Sequence, residues 1–277
     1  MTKISATEVN NLRKQTGAGM MDCKKALLET NGNFQQAIDV LRKKGQKVAS
    51  QRADRETSEG VVLAHVNDSN TVGAILSLNC ETDFVAKNAD FIALAKSFLT
   101  LAVESNCQNL ETLKSLKFDS MITIAEKLVE QTGVIGEKLE ISNFHTVQGP
   151  FVASYIHPGN KLVSLVGFNK VLDNIEEVGK NIAMQIAAMN PLGLVETDIS
   201  QEIVEKEIEI GKDLARQEGK PEEMLDKISM GRLKKFFKEN TLINQVYIKD
   251  SKLTIKQYLA SNSSDLTINS FKRVNLA

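Results

Sequence analysis

Few side chains in this sequence fall into patterns that chemistry uses. The histidines, His65, His145 and His157, have neither HExxH spacing nor a cysteine pair beside them, so no zinc site is expected. Cys23, Cys80 and Cys107 form an odd, scattered set without CxxC spacing. That fits a reducing compartment better than a disulfide framework. A Cys–His nucleophile stays open on sequence grounds, because such partners meet only in the fold. Cys80, near the end of an apolar strand, reads more simply as packing. Gly17-Ala18-Gly19 has no strand before it, and Asp22 stands where a dinucleotide loop wants a third glycine. A turn between helices is the better reading. The Gly-Lys pairs at Gly179, Gly211 and Gly219 are followed by Asn, Asp and Pro, so the GxxxxGK[ST] phosphate loop is missing. Neither a catalytic group, a cofactor nor a metal is expected.

One segment resists a bland account: Thr82-Asp83-Phe84-Val85-Ala86-Lys87-Asn88, set between a strand end and a helix that Asn88 can cap. Thr82 or Asp83 can cap a single extra turn. Residue type alone places Phe84 beneath that turn as core, since Phe is usually buried. The alternative is that the turn pushes a large apolar side chain and an acid outward, a pair suited to prying into another protein.

The elements that would position this segment can be read in order. Ser5 and Glu8 have capping-box spacing ahead of a helix presenting Val9 and Leu12, with Gly17 as its stop. A second helix, about Met20 to Thr30, offers Ala26 and Leu27. A third carries Phe34, Ala37, Ile38 and Leu41 and is expected to end at Gly45. Three helices in about 45 residues make a small bundle near the lower limit for independent stability. Lys43 to Ser58 is polar and reads as a linker. Gly60–Val66 and Thr71–Cys80 then form a predicted hairpin around Asp68-Ser69-Asn70. An amphipathic helix follows through Phe91, Leu94, Ala95, Phe98 and Ala102, and another over Ser120–Gln131 stopped by Gly133.

The plan then repeats. Phe151–His157 and Lys161–Phe168 flank Pro158-Gly159-Asn160, and a helix covers about Asn174 to Met189. At an offset of 90 residues Asn70 falls on Asn160 and Asn79 on Asn169, which points to two related α+β halves. From Ser200 to Phe237 the chain is charged and helical, broken at Glu218-Gly219-Lys220-Pro221. Ile203, Ile208, Ile210 and Leu214, then Met224, Leu225, Ile228 and Leu233, supply an apolar stripe wide enough for one partner helix. A short helix near Ile255–Leu259 and a strand near Leu266–Val274 close the chain.

Composition sets the outer bounds. With 277 residues, 42% hydrophobic and 25% charged, two or three packed globular units are expected. A net charge of −1 argues against a nucleic-acid-binding module, whose basic face would show in the balance. No apolar run approaches the ~18 residues of a membrane span, and the first residues read as a capped helix rather than a leader. A cytoplasmic protein is expected. A small-molecule enzyme would need convergent titratable groups, and no such set stands out.

Three strings carry a family resemblance. LRKQTGAGMMDCKKAL (Leu12–Leu27), NCETDFVAKN (Asn79–Asn88) and GKPEEMLDKISMGRLKKF (Gly219–Phe236) resemble, in matching order, signatures of the elongation factor Ts family. The resemblance implies an α+β protein: a ubiquitin-associated-like three-helix domain over 1–54, core halves over 55–140 and 141–277, and a helical coiled-coil hairpin at about 200–237. It implies guanine nucleotide exchange on elongation factor Tu, bound both with GDP and without nucleotide. In the family the amino-terminal domain and first core half meet the nucleotide domain of Tu, and the second half reaches its third domain. By the same resemblance the Asp83–Phe84 pair intrudes, with Thr82 and Val85 beside it. Ile135-Gly136, His157, Lys24 and Met230 are further contacts. Gln148-Gly149-Pro150 and the loop around Asn106–Lys117 depart from the familiar pattern.

Overall fold

Ser5 and Glu8 close the box that their spacing predicts: the Glu8 amide donates to the Ser5 hydroxyl, and the Ser5 amide donates to the Glu8 carboxylate at 2.7 Å. This opens α1 (Ala6–Thr16), and Gly17 ends it in the left-handed region at φ 70°. The computed structural model describes residues 4–276; residues 1–3 and 277, the ends of the expected 1–54 and 141–277 segments, lie outside them. Next come α2 (Met20–Glu29) and α3 (Phe34–Gln51). Val9, Leu12, Cys23, Ala26, Leu27, Ala37 and Ile38 form the buried cluster among these three helices.

The predicted stop at Gly45 does not hold, because α3 runs through it to Gln51. The reason is tertiary. Gly45 is buried against α7 (Ile124–Ile135), where a Cβ on Gly133 would sit 2.4 Å from the Gly45 Cα. The two glycines let the backbones of two helices touch, so neither is a terminator. In α7 the stop falls at Gly136 (φ 81°) instead of Gly133.

The first hairpin is β1 (Glu59–Val66) and β2 (Val72–Cys80). It leads through α4 (Asp83–Ala86), α5 (Ala89–Glu104) and α6 (Leu110–Ser115) to α7. After α7, β3 (Glu140–Gln148) completes a sheet of order β1-β2-β3. The second hairpin, β4 (Phe151–Ile156) and β5 (Leu162–Phe168), pairs antiparallel from Phe151↔Phe168 to Ile156↔Val163. It precedes α8 (Ile175–Met189). Then come α9 (Gln201–Gln217), α10 (Glu222–Asn240), β6 (Val246–Tyr247), β7 (Asp250–Thr254), α11 (Ile255–Asn262) and β8 (Ile268–Asn275). β8 joins a second three-stranded sheet, β4-β5-β8.

The two hairpin turns share one geometry. Asn70 and Asn160 both take positive φ, 53° and 55°, a conformation Asn tolerates better than other residues with a Cβ. Asn67 and His157 each bond back across the turn, to Val72 and Leu162. Asn79 and Asn169, one strand later, each use the side chain to hold a neighbouring segment, the Thr57 carbonyl for one and Asp265 and Thr267 for the other.

The chain packs as two units. One comprises residues up to Leu63, Ile75–His145 and the end from Asn275; the other is Ala64–Ala74 with Thr146–Val274. In the second unit α8 lies on β4 and β5, and Phe151, Val166, Phe168, Ile182, Ile186, Tyr247 and Ile255 share its buried core. There α9 and α10 pair with each other, and the predicted apolar stripe serves in part: Leu225 and Leu233 of α10 are buried. Ile203, Ile210, Leu214 and Met224 remain 37–46% exposed. The seam is Gly211 and Ala215 of α9 against Leu225, Ser229 and Leu233 of α10, so small residues on α9 make room for two leucines of the predicted stripe and leave its remaining exposed members at the margins.

Candidate functional site

β2 ends at Cys80, and within three residues the chain turns into α4, a single turn of four residues. Thr82 is its cap, extended at φ −125°, with its hydroxyl accepting from the Val85 amide at 3.5 Å. The turn presents Phe84 to solvent with 82% of its surface exposed. Residue type alone placed this phenylalanine in the core, and the fold places it outside. The reason is the register of the turn: Ala86, on its opposite side, is the residue that goes inward at 5% exposure. Asp83 stands beside Phe84 and pairs with Lys87 one turn on at 2.7 Å. The Lys87 hydrogen bond, with that charge behind it, holds the Asp83 carboxyl below its ordinary value, so it is an anion at neutral pH. As an exposed pair its worth to stability is small.

The structure brings Ile135-Gly136 to the same place. Val85, Phe91 and Leu94 from α4 and α5 face Val134 and Ile135 from α7, with Gly17 at the edge, around a cleft of about 350 Å³. Gly136, in the left-handed conformation, donates its amide to Thr132 at 2.9 Å and turns the chain sharply out of α7. The next residue, Glu137, then reaches the approach to α4. One carboxylate oxygen accepts the Glu81 and Thr82 amides at 3.1 and 3.0 Å, and the other accepts the Thr82 hydroxyl at 2.6 Å. Behind it the Glu81 carboxylate accepts the Lys138 amide at 2.6 Å and the Arg52 guanidinium at 2.8 and 2.9 Å. Burial pushes the Glu81 carboxyl up, but the Lys138 amide and Arg52 outweigh it and leave the group below its ordinary range.

Glu81, Glu137 and Arg52 were not among the residues singled out from sequence. Their only signal is adjacency, Glu81 directly before Thr82 and Glu137 directly after Gly136. Nothing in sequence pairs the two segments. Lys24 is exposed on the outer face of α2, one turn from Met20 and from Leu28, which are 57% and 47% exposed. His157 and Met230 belong to the second unit. His157 is exposed, its Nδ1 3.0 Å from the Tyr155 hydroxyl. Met230 is 47% exposed on α10. Among the described residues no group of three or more His, Cys, Asp or Glu is arranged to hold a metal, and no helix is long and apolar enough to cross a membrane. Cys23, Cys80 and Cys107 are buried, and burial pushes the thiols of Cys23 and Cys107 above their ordinary value.

Comparison with known sequences decides the family. The sequence model described as Elongation factor TS matches residues 81–277. The chain belongs to the elongation factor Ts family. It is 55% identical to elongation factor Ts of Christiangramia forsetii over 277 residues, all of both chains. It is 53% identical to that of Flavobacterium psychrophilum over 276 residues, again all of both, and 45% identical to that of Porphyromonas gingivalis over 273, covering 99% and 98%. Membership makes it a translation elongation factor, in agreement with the three signatures. Within an elongation factor Ts chain, α4 is where the second of those signatures becomes surface: its Thr82, Asp83, Phe84 and Val85 form the turn.

Proposed function

We propose that this protein is the guanine nucleotide exchange factor of elongation factor Tu, and that the α4 turn is the part that loosens the nucleotide. The observation that carries the reading is Phe84, a large apolar side chain left 82% exposed on a turn capped and tied at its base. Phe84 is next in the chain to Val85, which lines the cleft with Phe91, Leu94, Val134 and Ile135, so ring and cleft together offer an apolar surface for a partner to cover. Phe84 and Asp83 enter the region of the magnesium ion and phosphate loop of Tu, with Ile135-Gly136 beside them. Lys24, flanked by Met20 and Leu28, docks from the amino-terminal helices. His157 and Met230 meet Tu elsewhere.

The mechanism follows from linkage and needs no covalent chemistry. A nucleotide held at nanomolar affinity is bound by ~12 kcal/mol and leaves slowly. A factor that binds empty or distorted Tu better than loaded Tu weakens the nucleotide by the same coupling free energy. GTP then displaces the factor by the reverse of that coupling. On this reading the protein acts in the cytoplasm as a binding partner and not as an enzyme, needs no cofactor, and forms no stable complex with nucleic acid or membrane. Residues 1–54 are a ubiquitin-associated-like docking domain, 55–140 and 141–277 the core halves, and about 200–237 a coiled-coil hairpin.

The test is release of labelled GDP from elongation factor Tu with and without the factor. Acceleration at substoichiometric factor supports the proposal. Release at the intrinsic rate when factor is in excess overturns it.

A further inference from the structure

A turn of four residues cannot hold itself, because nucleating a helix is costly and its stability must come from outside. Phe84 contributes little, since it hardly touches the rest of the chain. What fixes α4 is its approach. The Glu137 carboxylate gathers three donors there, two consecutive amides and the Thr82 hydroxyl, within 3.1 Å. That hydroxyl is in turn the acceptor that caps the turn. Behind this, the Lys138 ammonium bonds the Ala53 and Arg55 carbonyls at 2.8 and 3.0 Å, and Arg52 grips Glu81 from the end of α3. Three separate stretches of chain, after α3, before α4 and after α7, are joined by charge-assisted hydrogen bonds, which are shorter and about twice as strong as neutral ones.

We infer that Glu137 is a positioning residue for exchange: it fixes the orientation of α4 so that Phe84 meets its target already aimed. This rests on the reading of Phe84 as the intruding group. Glu137 needs no contact with Tu to act. Its effect passes through Thr82 to the turn, and it is distinct in kind from those of Asp83 and Phe84. Without it the two amides and the hydroxyl turn to water, α4 samples several orientations, and the factor spends only part of its bound time in the productive one. A loss of orientation of this type falls on the limiting rate more than on the concentration dependence.

The experiment measures labelled GDP release from elongation factor Tu over a range of factor concentrations, with a thermal melt of each variant. Glu137→Ala is expected to lower the limiting rate about tenfold while the factor still melts cooperatively. Glu137→Gln keeps a carbonyl acceptor for the two amides and is expected to restore most of the rate. In a Phe84→Ala background, Glu137→Ala is expected to add less than about a twofold loss, because both act through one side chain. A Glu137→Ala factor with the wild-type limiting rate overturns the inference, and so does a full additional loss in the Phe84→Ala background. If Glu137→Ala does not fold, Thr82→Val decides. It keeps the shape and loses the hydroxyl, so a folded, slow variant supports the inference and a folded, fast one overturns it. Should Phe84→Ala itself exchange at the full rate, the reading of Phe84 falls and the inference with it. A slow Phe84→Ala beside a fast Glu137→Ala removes the inference alone.

Discussion

Phe84→Ala separates binding from folding, because Phe84 is the most exposed of the large apolar side chains among the described residues. Phe84 is 82% exposed, which leaves 18% of its surface covered by the rest of the protein. For a side chain of ~200 Å² that is ~36 Å², or ~0.9 kcal/mol at 25 cal/mol per Å². Alanine returns about half of this through its higher helix propensity. The variant should therefore unfold within ~1 kcal/mol of wild type, against the ~3–5 kcal/mol that a core phenylalanine costs on truncation. On the partner side the remaining ~160 Å² sets an upper bound of ~4 kcal/mol, most of it realised only if the ring becomes fully covered in the complex. With a third to two thirds of that bound realised, stimulated GDP release slows between about tenfold and about a hundredfold, at ~1.4 kcal/mol per decade. The assay is stopped-flow release of labelled GDP from elongation factor Tu, alongside denaturant unfolding of the same preparation. A variant that unfolds several kcal/mol sooner yet exchanges normally per folded molecule would refute the reasoning at both steps.

Asp83→Ala is expected to slow exchange more mildly than Phe84→Ala. The double variant should lose less than the two effects combined, as a double-mutant cycle in the same assay would show. Gly133→Ala forces a Cβ to 2.4 Å from the Gly45 Cα and should lower the melting midpoint despite its better helix propensity, whereas Gly231→Ala, whose Cβ would meet nothing within 4 Å beyond its own stretch of helix, should raise it. Replacing residues 200–237 with a short flexible turn is expected to leave a cooperative melt, since α9 and α10 bury their seam in each other; loss of cooperativity would make the pair part of the core. Glu81 has a depressed folded pKa, so its contribution is full above the ordinary value of 4.5 and is lost as pH falls through the folded value. The stability gap between wild type and Glu81→Gln should accordingly narrow as acid is added below that point, by denaturant midpoints at each pH.

The residues that declare themselves locally are the ones legible without a fold. Ser5 with Glu8, and Asn88 before α5, satisfy their own helix ends with side chains a few residues away, so spacing alone reveals them. The turn asparagines at 70 and 160 bend the backbone by their own tolerance of positive φ, and the offset of 90 residues between them can be counted. The signature strings give the family in the same way. β3 escaped because its buried residues, Ile141, Phe144 and Val147, fall at every third position and erase the alternation that marks a strand. α6, with six residues, is too short to show a period. Gly45 and Gly133 look like helix stops, and only the contact between their two backbones explains why the helices continue through them. The same holds at the site. A phenylalanine carries no mark of which side of a one-turn helix it will occupy. Phe84 faces water because Ala86 takes the inward side of the turn, and the approach to that turn is held by Glu137, 53 positions further along the chain than Phe84. Local spacing determines what a segment can form, but the direction a side chain finally faces is set by whatever packs against it, and those neighbours are joined only when the chain has folded.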